Sequence, residues 1–226
     1  MDRKEIAARS AVAQIQNGMA VGLGSGSTSL VAVRVLAERI RTEGLQVVGV
    51  ATSAATEREA RALGIPMTTL DEQPVLDIAI DGADQVDTQL ACIKGYGGAL
   101  LREKIVALST RRFLVMVDAS KLSLMLDKPV PVECLPFALG VARLGLEALG
   151  GRPALRRDQG AAYTTDNGNH ILDVDFGSIA DPGALGVRLA AVPGVVGHGL
   201  FVGLVHELHV GDTGGSRVFK PGQTPR

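Results

Sequence analysis

LDIAIDGAD (residues 76–84) and RFLVMVD (residues 112–118) each carry an apolar run that reaches an acidic residue, and a helical pattern over residues 98–109 separates them. Apolar runs without alternation are typical of parallel strands that are covered on both faces. A strand, a helix and a second strand in this order predict a βαβ unit. This unit decides the fold class, because it predicts an α/β protein built on a parallel sheet.

The chain before this unit continues the same alternation. MAVGL (19–23) and QVVGV (46–50) predict strands, and a helix that runs to about Arg41 separates them. Ser53 can cap the start of a further helix, which Gly64 ends. The first half of the chain is therefore expected to supply several parallel strands of one sheet.

The pattern changes after Asp127. KPVPVECLP (128–136) is rich in proline and extended, and a helix is predicted over residues 137–149. Asn167-Gly168 between two extended arms predicts a hairpin. This order indicates a small α+β unit inserted into the first one. The predicted domains are residues 1–127 together with 207–226, and residues 128–206.

The composition argues against several classes of protein. The chain has 226 residues, of which 46% are hydrophobic, and its formal net charge of −1 offers no basic surface for nucleic acid. Aromatic residues make up only 3%, Trp is absent, and no apolar run reaches the roughly 18 residues of a membrane span. Cys92 and Cys134 have no metal-ligand spacing. We expect a cytoplasmic protein without nucleic-acid or membrane partners.

GLGSGST (22–28) joins a predicted strand to a predicted helix, where free backbone N–H groups bind anions. The stretch lacks the Lys of the Walker pattern, and Ser29 stands where the dinucleotide fingerprint needs Gly. No acid ends the strand at 46–50 to hold a ribose hydroxyl. Two interpretations stay open: an ordinary tight turn and, favoured by Ser27 and Thr28, a monophosphate site.

Asp81 and Asp84 lie at the end of a predicted strand, where ligands bind in open α/β sheets. Two Asp in this position would also suit turn formation and helix capping. KGYGGALLREK (94–104) then adds a cation among glycines that expose backbone N–H groups. Lys94 near two acids favours a site that binds a polyol and stabilises an oxyanion.

Three further features allow more than one interpretation. Glu103 lies in the predicted helix and, taken alone, fits a carboxylate on the helix surface. Lys121 fits a solvated loop lysine, but it follows a predicted strand and can share an edge of the sheet with Asp81. HELH (206–209) lacks the H-E-x-x-H spacing of zinc proteases, and its alternation predicts a strand. We expect no metal site.

Taken together, these stretches resemble one family. GLGSGST, DGAD, KGYGGALLREK, VDASK, PVPVE and TTDNGN occur in the order found in type A ribose-5-phosphate isomerases, and the resemblance covers nearly the whole chain. It implies a Rossmann-like parallel-sheet domain with an inserted ferredoxin-like α+β domain. It also implies interconversion of D-ribose 5-phosphate and D-ribulose 5-phosphate through an enediol, in the non-oxidative pentose phosphate pathway. A homodimer or homotetramer without metal or organic cofactor is the expected form.

The resemblance also implies roles for individual residues. The general base falls on Glu103, with Lys94, Asp81 and Asp84 as the other catalytic groups. Substrate contacts are expected from Ser25, Gly26, Ser27, Thr28, Asp81, Gly82, Ala83, Asp84, Lys94, Gly95, Tyr96, Gly97 and Lys121. Lys4 stands where the family often has a phosphate-contacting Lys. Many members have Gly in place of Tyr96, so this side chain must point away from the sugar or line its rim.

Two alternatives remain open. One is a module that senses a sugar phosphate without turnover; such modules usually adjoin a DNA-binding helix-turn-helix, for which the single predicted helix at residues 2–17 leaves no room. The other is a different enzyme of the same fold group, either an amino-sugar phosphate deaminase or a CoA transferase. The lack of a His near the acids argues against the deaminase.

Overall fold

A computed structural model describes residues 2–225 of the chain as an alternation of helices and short strands. In chain order the elements are α1 (Arg3–Val12), β1 (Ala20–Leu23), α2 (Ser27–Glu43), β2 (Val48–Ala51), α3 (Ala54–Ala62), β3 (Ile78–Gly82), β4 (Gln85–Val86), β5 (Cys92–Ile93), α4 (Leu100–Leu108), β6 (Phe113–Asp118), β7 (Val130–Cys134), α5 (Leu139–Ala148), β8 (Arg152–Leu155), β9 (Arg157–Asp158), β10 (Ala161–Ala162), β11 (His170–Asp175), α6 (Pro182–Ala190), β12 (Val195–His198), β13 (Leu200–Phe201), β14 (Glu207–Asp212) and β15 (Gly215–Phe219).

The main sheet has six strands in the order β15-β14-β6-β3-β1-β2. Neighbouring strands run parallel except for the edge strand β15, which pairs antiparallel with β14. The central strands β1, β3 and β6 are buried along almost their whole length. The prediction of an α/β fold with a parallel, Rossmann-like sheet is confirmed.

Helices cover both faces of this sheet, which is why its strands are apolar without alternation. On one face, Ile78 and Ile80 of β3 pack in a core with residues of α1, α2 and α3. On the other face, Ala79 of the same strand packs with Val106 and Ala107 of α4. Successive side chains thus alternate between two cores, and the parallel ends of β1, β3 and β6 are brought to one edge.

A second sheet of four antiparallel strands has the order β12-β7-β11-β8. Together with α5 and α6 it encloses a separate apolar core. The chain order β7-α5-β8-β11-α6-β12 and this strand order are those of a ferredoxin-like unit. The prediction of an inserted ferredoxin-like α+β fold is confirmed.

The turn at Asn167-Gly168 forms as predicted, because Thr165 and Asn169 face each other across it and a bridge joins Thr164 to His170. The arm that follows the turn, β11, pairs mainly with β7 and β8 instead of continuing the hairpin. The hairpin prediction was therefore correct for the turn and too simple for the strands.

The domain boundaries stay a prediction. The four antiparallel strands fall within residues 128–206, but β13, which also falls there, pairs with β5 of the first segment. Residues 1 and 226, the outer ends of the predicted first domain, lie outside the described residues.

Within residues 2–225, no helix is both long enough and apolar enough to cross a lipid bilayer. The 17-residue helix α2, for example, carries several Arg and Glu side chains along its second half.

Candidate active site

A cleft opens where the carboxyl ends of β1 and β3 meet the amino end of α2. It is lined by Lys4, Ser25, Gly26, Ser27, Thr28, Gly82, Ala83, Asp84, Lys94, Gly95, Gly97, Glu103 and Lys121. Two residues predicted to contact a ligand, Asp81 and Tyr96, are absent from this lining. The structure therefore brings together the predicted residues from four separate stretches of the sequence and leaves two of them outside the cleft.

Asp81, at the end of β3, is buried behind the cleft, and donors occupy both of its carboxylate oxygens. Oδ1 accepts hydrogen bonds from the Ser25 N–H (3.1 Å), the Ser29 hydroxyl (2.8 Å) and the Gly82 N–H (2.8 Å). Oδ2 accepts from the Lys94 ammonium at 2.8 Å. The carboxylate thus holds Lys94 and the glycine-rich turn in place, while its predicted part in proton relay stays a prediction.

The turn after β1 can approach Asp81 only because two of its residues lack a side chain. A Cβ atom at Gly24 would lie 2.0 Å from Asp81 Oδ1. Gly26 has φ +88°, in the left-handed region that favours glycine, and it directly precedes α2. Within residues 2–225, no side chain caps the start of this 17-residue helix. Its first N–H groups, at residues that line the cleft, can therefore bind an anion.

Lys94 and Glu103 form a buried ion pair beside the cleft. Their side chains are only 2% and 4% exposed, and Lys94 Nζ lies 3.1 Å from Glu103 Oε2. The ammonium also donates to the Gly82 carbonyl at 2.6 Å. Within residues 2–225, no donor has the geometry of a hydrogen bond to Glu103 Oε2, so the contact with Lys94 is an ion pair. The ammonium is therefore fixed on several sides, whereas the carboxylate remains available to exchange a proton.

The interpretation of Glu103 as a surface carboxylate was wrong. It lies on the buried face of α4, which also carries Leu100, Val106 and Ala107. Since Leu100 precedes Glu103 by three residues and Val106 follows it by three, helical periodicity already placed this carboxylate on the apolar face. An acid at such a position was the sequence signal for a functional group.

Burial and charge set the protonation of this pair. Burial raises the pKa of Glu103 to about 8; the Asp81 charge adds to the rise and Lys94 opposes it. Burial acts to lower the pKa of Lys94, but the carboxylates of Asp81 and Glu103 outweigh it and raise that pKa above its ordinary value. A permanent cation beside a carboxylate that titrates near neutral pH suits proton transfer next to a developing negative charge.

The opposite end of the cleft is cationic. Lys4 Nζ donates to the Ser27 hydroxyl at 2.9 Å, and Lys121 lines the cleft from the 3₁₀ turn that follows β6. Two lysines, two hydroxyls and the start of α2 therefore surround one end, a combination that suits a phosphate group. The match of Lys4 to the expected phosphate-contacting position gains support from this placement.

The glycine-rich loop of residues 94–97 closes the remaining side. The Tyr96 N–H donates to Asp84 Oδ2 at 3.0 Å, which holds this carboxylate at the cleft. The Tyr96 side chain runs away from the cleft, and its hydroxyl donates to the Pro129 carbonyl at 3.1 Å. Of the two orientations allowed by the sequence, the structure shows the one that points away from the ligand.

No group of three or more His, Cys, Asp or Glu side chains that could hold a metal ion occurs in the described part of the chain. The two histidines of HELH do not come together at the cleft: His206 precedes β14 and its Nδ1 accepts from the Phe113 N–H, while His209 is buried inside that strand.

Comparison with known proteins identifies what the chain is similar to. Residues 48–215 match the family model described as ribose 5-phosphate isomerase A (phosphoriboisomerase A). A protein of Roseiflexus sp. (strain RS-1) named ribose-5-phosphate isomerase A is 53% identical over 205 residues, covering 89% of this chain and 88% of the relative. A protein of the same name from Gloeobacter violaceus is 50% identical over 225 residues, covering 98% and 97%.

Solved structures give the same result. Ribose 5-phosphate isomerase A from Methanocaldococcus jannaschii superposes with a TM-score of 0.93 at 41% identity, covering 97% of this chain and 98% of that one. A D-ribose-5-phosphate isomerase in complex with phospho-erythronic acid superposes with a TM-score of 0.93 at 34% identity, covering 97% and 100%.

Proposed function

Because the chain belongs to the ribose 5-phosphate isomerase A family, we propose that its cleft interconverts D-ribose 5-phosphate and D-ribulose 5-phosphate through an enediol. The observation that carries the proposal is the buried contact of 3.1 Å between Lys94 and Glu103 in a cleft whose other end is cationic. Assay of the purified protein with D-ribose 5-phosphate tests it. A sensing module would bind this compound without forming ketose, and no product would then appear.

The proposed chemistry moves one proton between two neighbouring carbons. In the open-chain aldose, the Glu103 carboxylate takes the C2 proton, and the electrons of the C–H bond form the C1–C2 double bond. The C1 carbonyl oxygen gains the negative charge, which the Lys94 ammonium stabilises. Glu103 then returns the proton to C1, while the C2 hydroxyl proton moves to the C1 oxygen with Asp84 as the proposed relay. One base that faces both carbons is sufficient.

The phosphate is proposed to bind at the cationic end. The start of α2, with Ser27 and Thr28, supplies N–H and hydroxyl donors, while Lys4 and Lys121 supply charge. This binding energy, remote from the reacting carbons, orients the sugar so that C1 and C2 face Glu103.

Loss of the phosphate contacts is expected to weaken the reaction strongly. Charge-assisted hydrogen bonds contribute about 1.5–3 kcal/mol each, so two of them correspond to a loss of about 10²–10⁴ in kcat/KM for D-ribose without phosphate. Lys121→Ala should raise KM for D-ribose 5-phosphate about 10- to 100-fold and leave kcat nearly unchanged. Lys220→Ala, a lysine remote from the cleft, is the control in the same kinetic assay. Equal use of ribose and its phosphate would contradict the placement.

The pH dependence of kcat/KM is expected to follow the protonation of Glu103. The base works only when deprotonated, and burial has raised its pKa to about 8. The rate should therefore rise with pH through the range 7–8.5, well above the ordinary value for a carboxyl group of about 4.3. Asp81→Asn removes a charge that raises this pKa and should move the rise to lower pH. A rise centred below pH 5.5 in the unmodified protein would exclude this protonation scheme.

Three further expectations are also proposals. Assembly into a homodimer or homotetramer, action without a metal or organic cofactor, and a cytoplasmic location rest on the resemblance to the family and on composition. Light scattering of the purified protein measures the first directly.

A further inference from the structure

Arg156, a residue of the inserted segment, binds the glycine-rich loop of residues 94–97 from the side opposite the cleft. Arg156, between β8 and β9, donates through Nη1 to the carbonyl oxygens of Gly95 (2.9 Å) and Tyr96 (3.1 Å). Its Nε donates to Asp173 Oδ2 at 2.9 Å, and its Nη2 donates to Asp173 Oδ1. The bidentate ion pair with Asp173 fixes the guanidinium plane. The remaining nitrogen, Nη1, donates to the carbonyls of two successive peptide groups.

These hydrogen bonds to the loop carbonyls influence the direction of the Tyr96 and Gly97 N–H groups. In a trans peptide the carbonyl and the N–H that share a plane point in opposite directions. The Gly95 carbonyl shares a peptide with the Tyr96 N–H, and the Tyr96 carbonyl shares one with the Gly97 N–H. The Gly98 N–H also donates to the Gly95 carbonyl at 3.0 Å, so this peptide is held from two sides. Because Arg156 contacts both carbonyls, both N–H groups are turned away from the guanidinium. The Tyr96 N–H accordingly meets Asp84 Oδ2 at 3.0 Å.

The second N–H is that of Gly97. Gly97 lines the cleft, and within residues 2–225 no hydrogen bond from its N–H is formed. A free, oriented backbone N–H in the lining of the cleft that Lys94 also lines is the kind of donor that stabilises an enediolate oxygen.

Tyr96 adds a second link between the loop and the inserted segment. Its hydroxyl donates to the Pro129 carbonyl at 3.1 Å, and together with Pro129, Arg156 and Asp173 it lines a surface recess. A glycine at this position could make neither contact. The loop of this chain is therefore tied to the inserted segment at two points.

Resting on the proposed function, we propose that Arg156 is a positioning residue for the isomerisation. With Asp173 it orients the loop peptides so that Asp84 and the free Gly97 N–H face the bound sugar phosphate, and Tyr96 reinforces this arrangement. Arg156 touches no substrate atom in this scheme. It acts through the Gly97 N–H, whose interaction with a substrate oxygen strengthens as negative charge develops, and through Asp84, whose position it fixes for the proton relay.

The test compares Arg156→Gln with Arg157→Gln, because the side chain of the adjacent Arg157 is exposed and, among residues 2–225, donates only to the Gly160 carbonyl. Arg156→Gln should lower kcat about 10- to 100-fold, as small misplacements and lost oxyanion donors do. KM for D-ribose 5-phosphate should change less than about threefold. The carboxylate of phospho-erythronic acid carries the kind of negative charge that develops on the enediolate, so its inhibition constant should rise in parallel with the loss of kcat. Arg157→Gln should change none of these.

Tyr96→Phe removes one hydrogen bond and keeps the ring, so it serves if Arg156→Gln fails to fold. It should lower kcat by a smaller factor, about 2- to 10-fold, again with a parallel weakening of the inhibitor. A normal kcat in both folded variants, or an equal change in KM and in the inhibition constant, overturns the inference. If the unmodified protein does not isomerise D-ribose 5-phosphate, the proposed function fails instead, so the two failures are distinguishable.

Discussion

Glu103→Gln is expected to lower kcat by about 10²–10⁴, the usual contribution of a general base. The amide is nearly isosteric with the carboxylate but cannot accept the C2 proton, so binding through the phosphate end should persist. KM should therefore stay within a few fold of the unmodified protein. Steady-state kinetics with D-ribose 5-phosphate, together with circular dichroism and thermal unfolding, measure both expectations.

The matched control is Glu147→Gln, which makes the same chemical change on an exposed helical position of α5. Its kcat and KM should equal those of the unmodified protein. Near-normal turnover by a folded Glu103→Gln variant would remove Glu103 from the role of base, whatever the control does.

Lys94→Met is expected to damage both stability and turnover. The ammonium is the buried cation between Asp81 and Glu103, at 2.8 Å and 3.1 Å. Removing one partner of a buried ion pair leaves an uncompensated charge and typically costs about 3–5 kcal/mol. Loss of the group that stabilises the enediolate should lower kcat by a further factor of about 10²–10³. Urea unfolding and steady-state kinetics measure the two effects.

A double variant separates these two effects. Lys94→Met leaves the carboxylates of Asp81 and Glu103 without their cation. Adding Asp81→Asn removes one of these two uncompensated charges, so part of the lost stability should return. Turnover should not return, because the cation is still missing. Recovery of activity in the double variant would show that Lys94 acts only by neutralising Asp81.

The sequence was sufficient for the fold because its local patterns agree with the tertiary structure. The apolar runs at 76–81 and 112–118 lie inside a sheet that helices cover on both faces, so pattern and burial coincide. Ser53 caps α3 as predicted, with its hydroxyl accepting the Thr56 N–H at 3.1 Å. Each of these features is set by residues within one element or its end.

The site was predictable in position and less so in detail. Residues that follow parallel strands must meet at one edge, so the turn at 22–28 and Lys121 could be placed together. Asp81 binds Lys94, and the Tyr96 side chain points away from the cleft. Both features depend on the directions of side chains from segments that are distant in the sequence. Arg156 was missed because it lies 61 positions from Gly95 and its partners there are backbone carbonyls, which leave no mark in the sequence.

The central claim is that Glu103 carries a proton between C2 and C1, and isotope incorporation tests it most directly. With the reaction run in D₂O, the carboxyl group formed on taking the C2 proton can exchange with solvent before the proton is returned. Proton NMR should then show deuterium at C1 of D-ribulose 5-phosphate, in only one of the two positions, because a single base works on one face of the enediol. Complete retention of the original C2 hydrogen at C1, with no solvent label after prolonged incubation, would contradict the proposed mechanism.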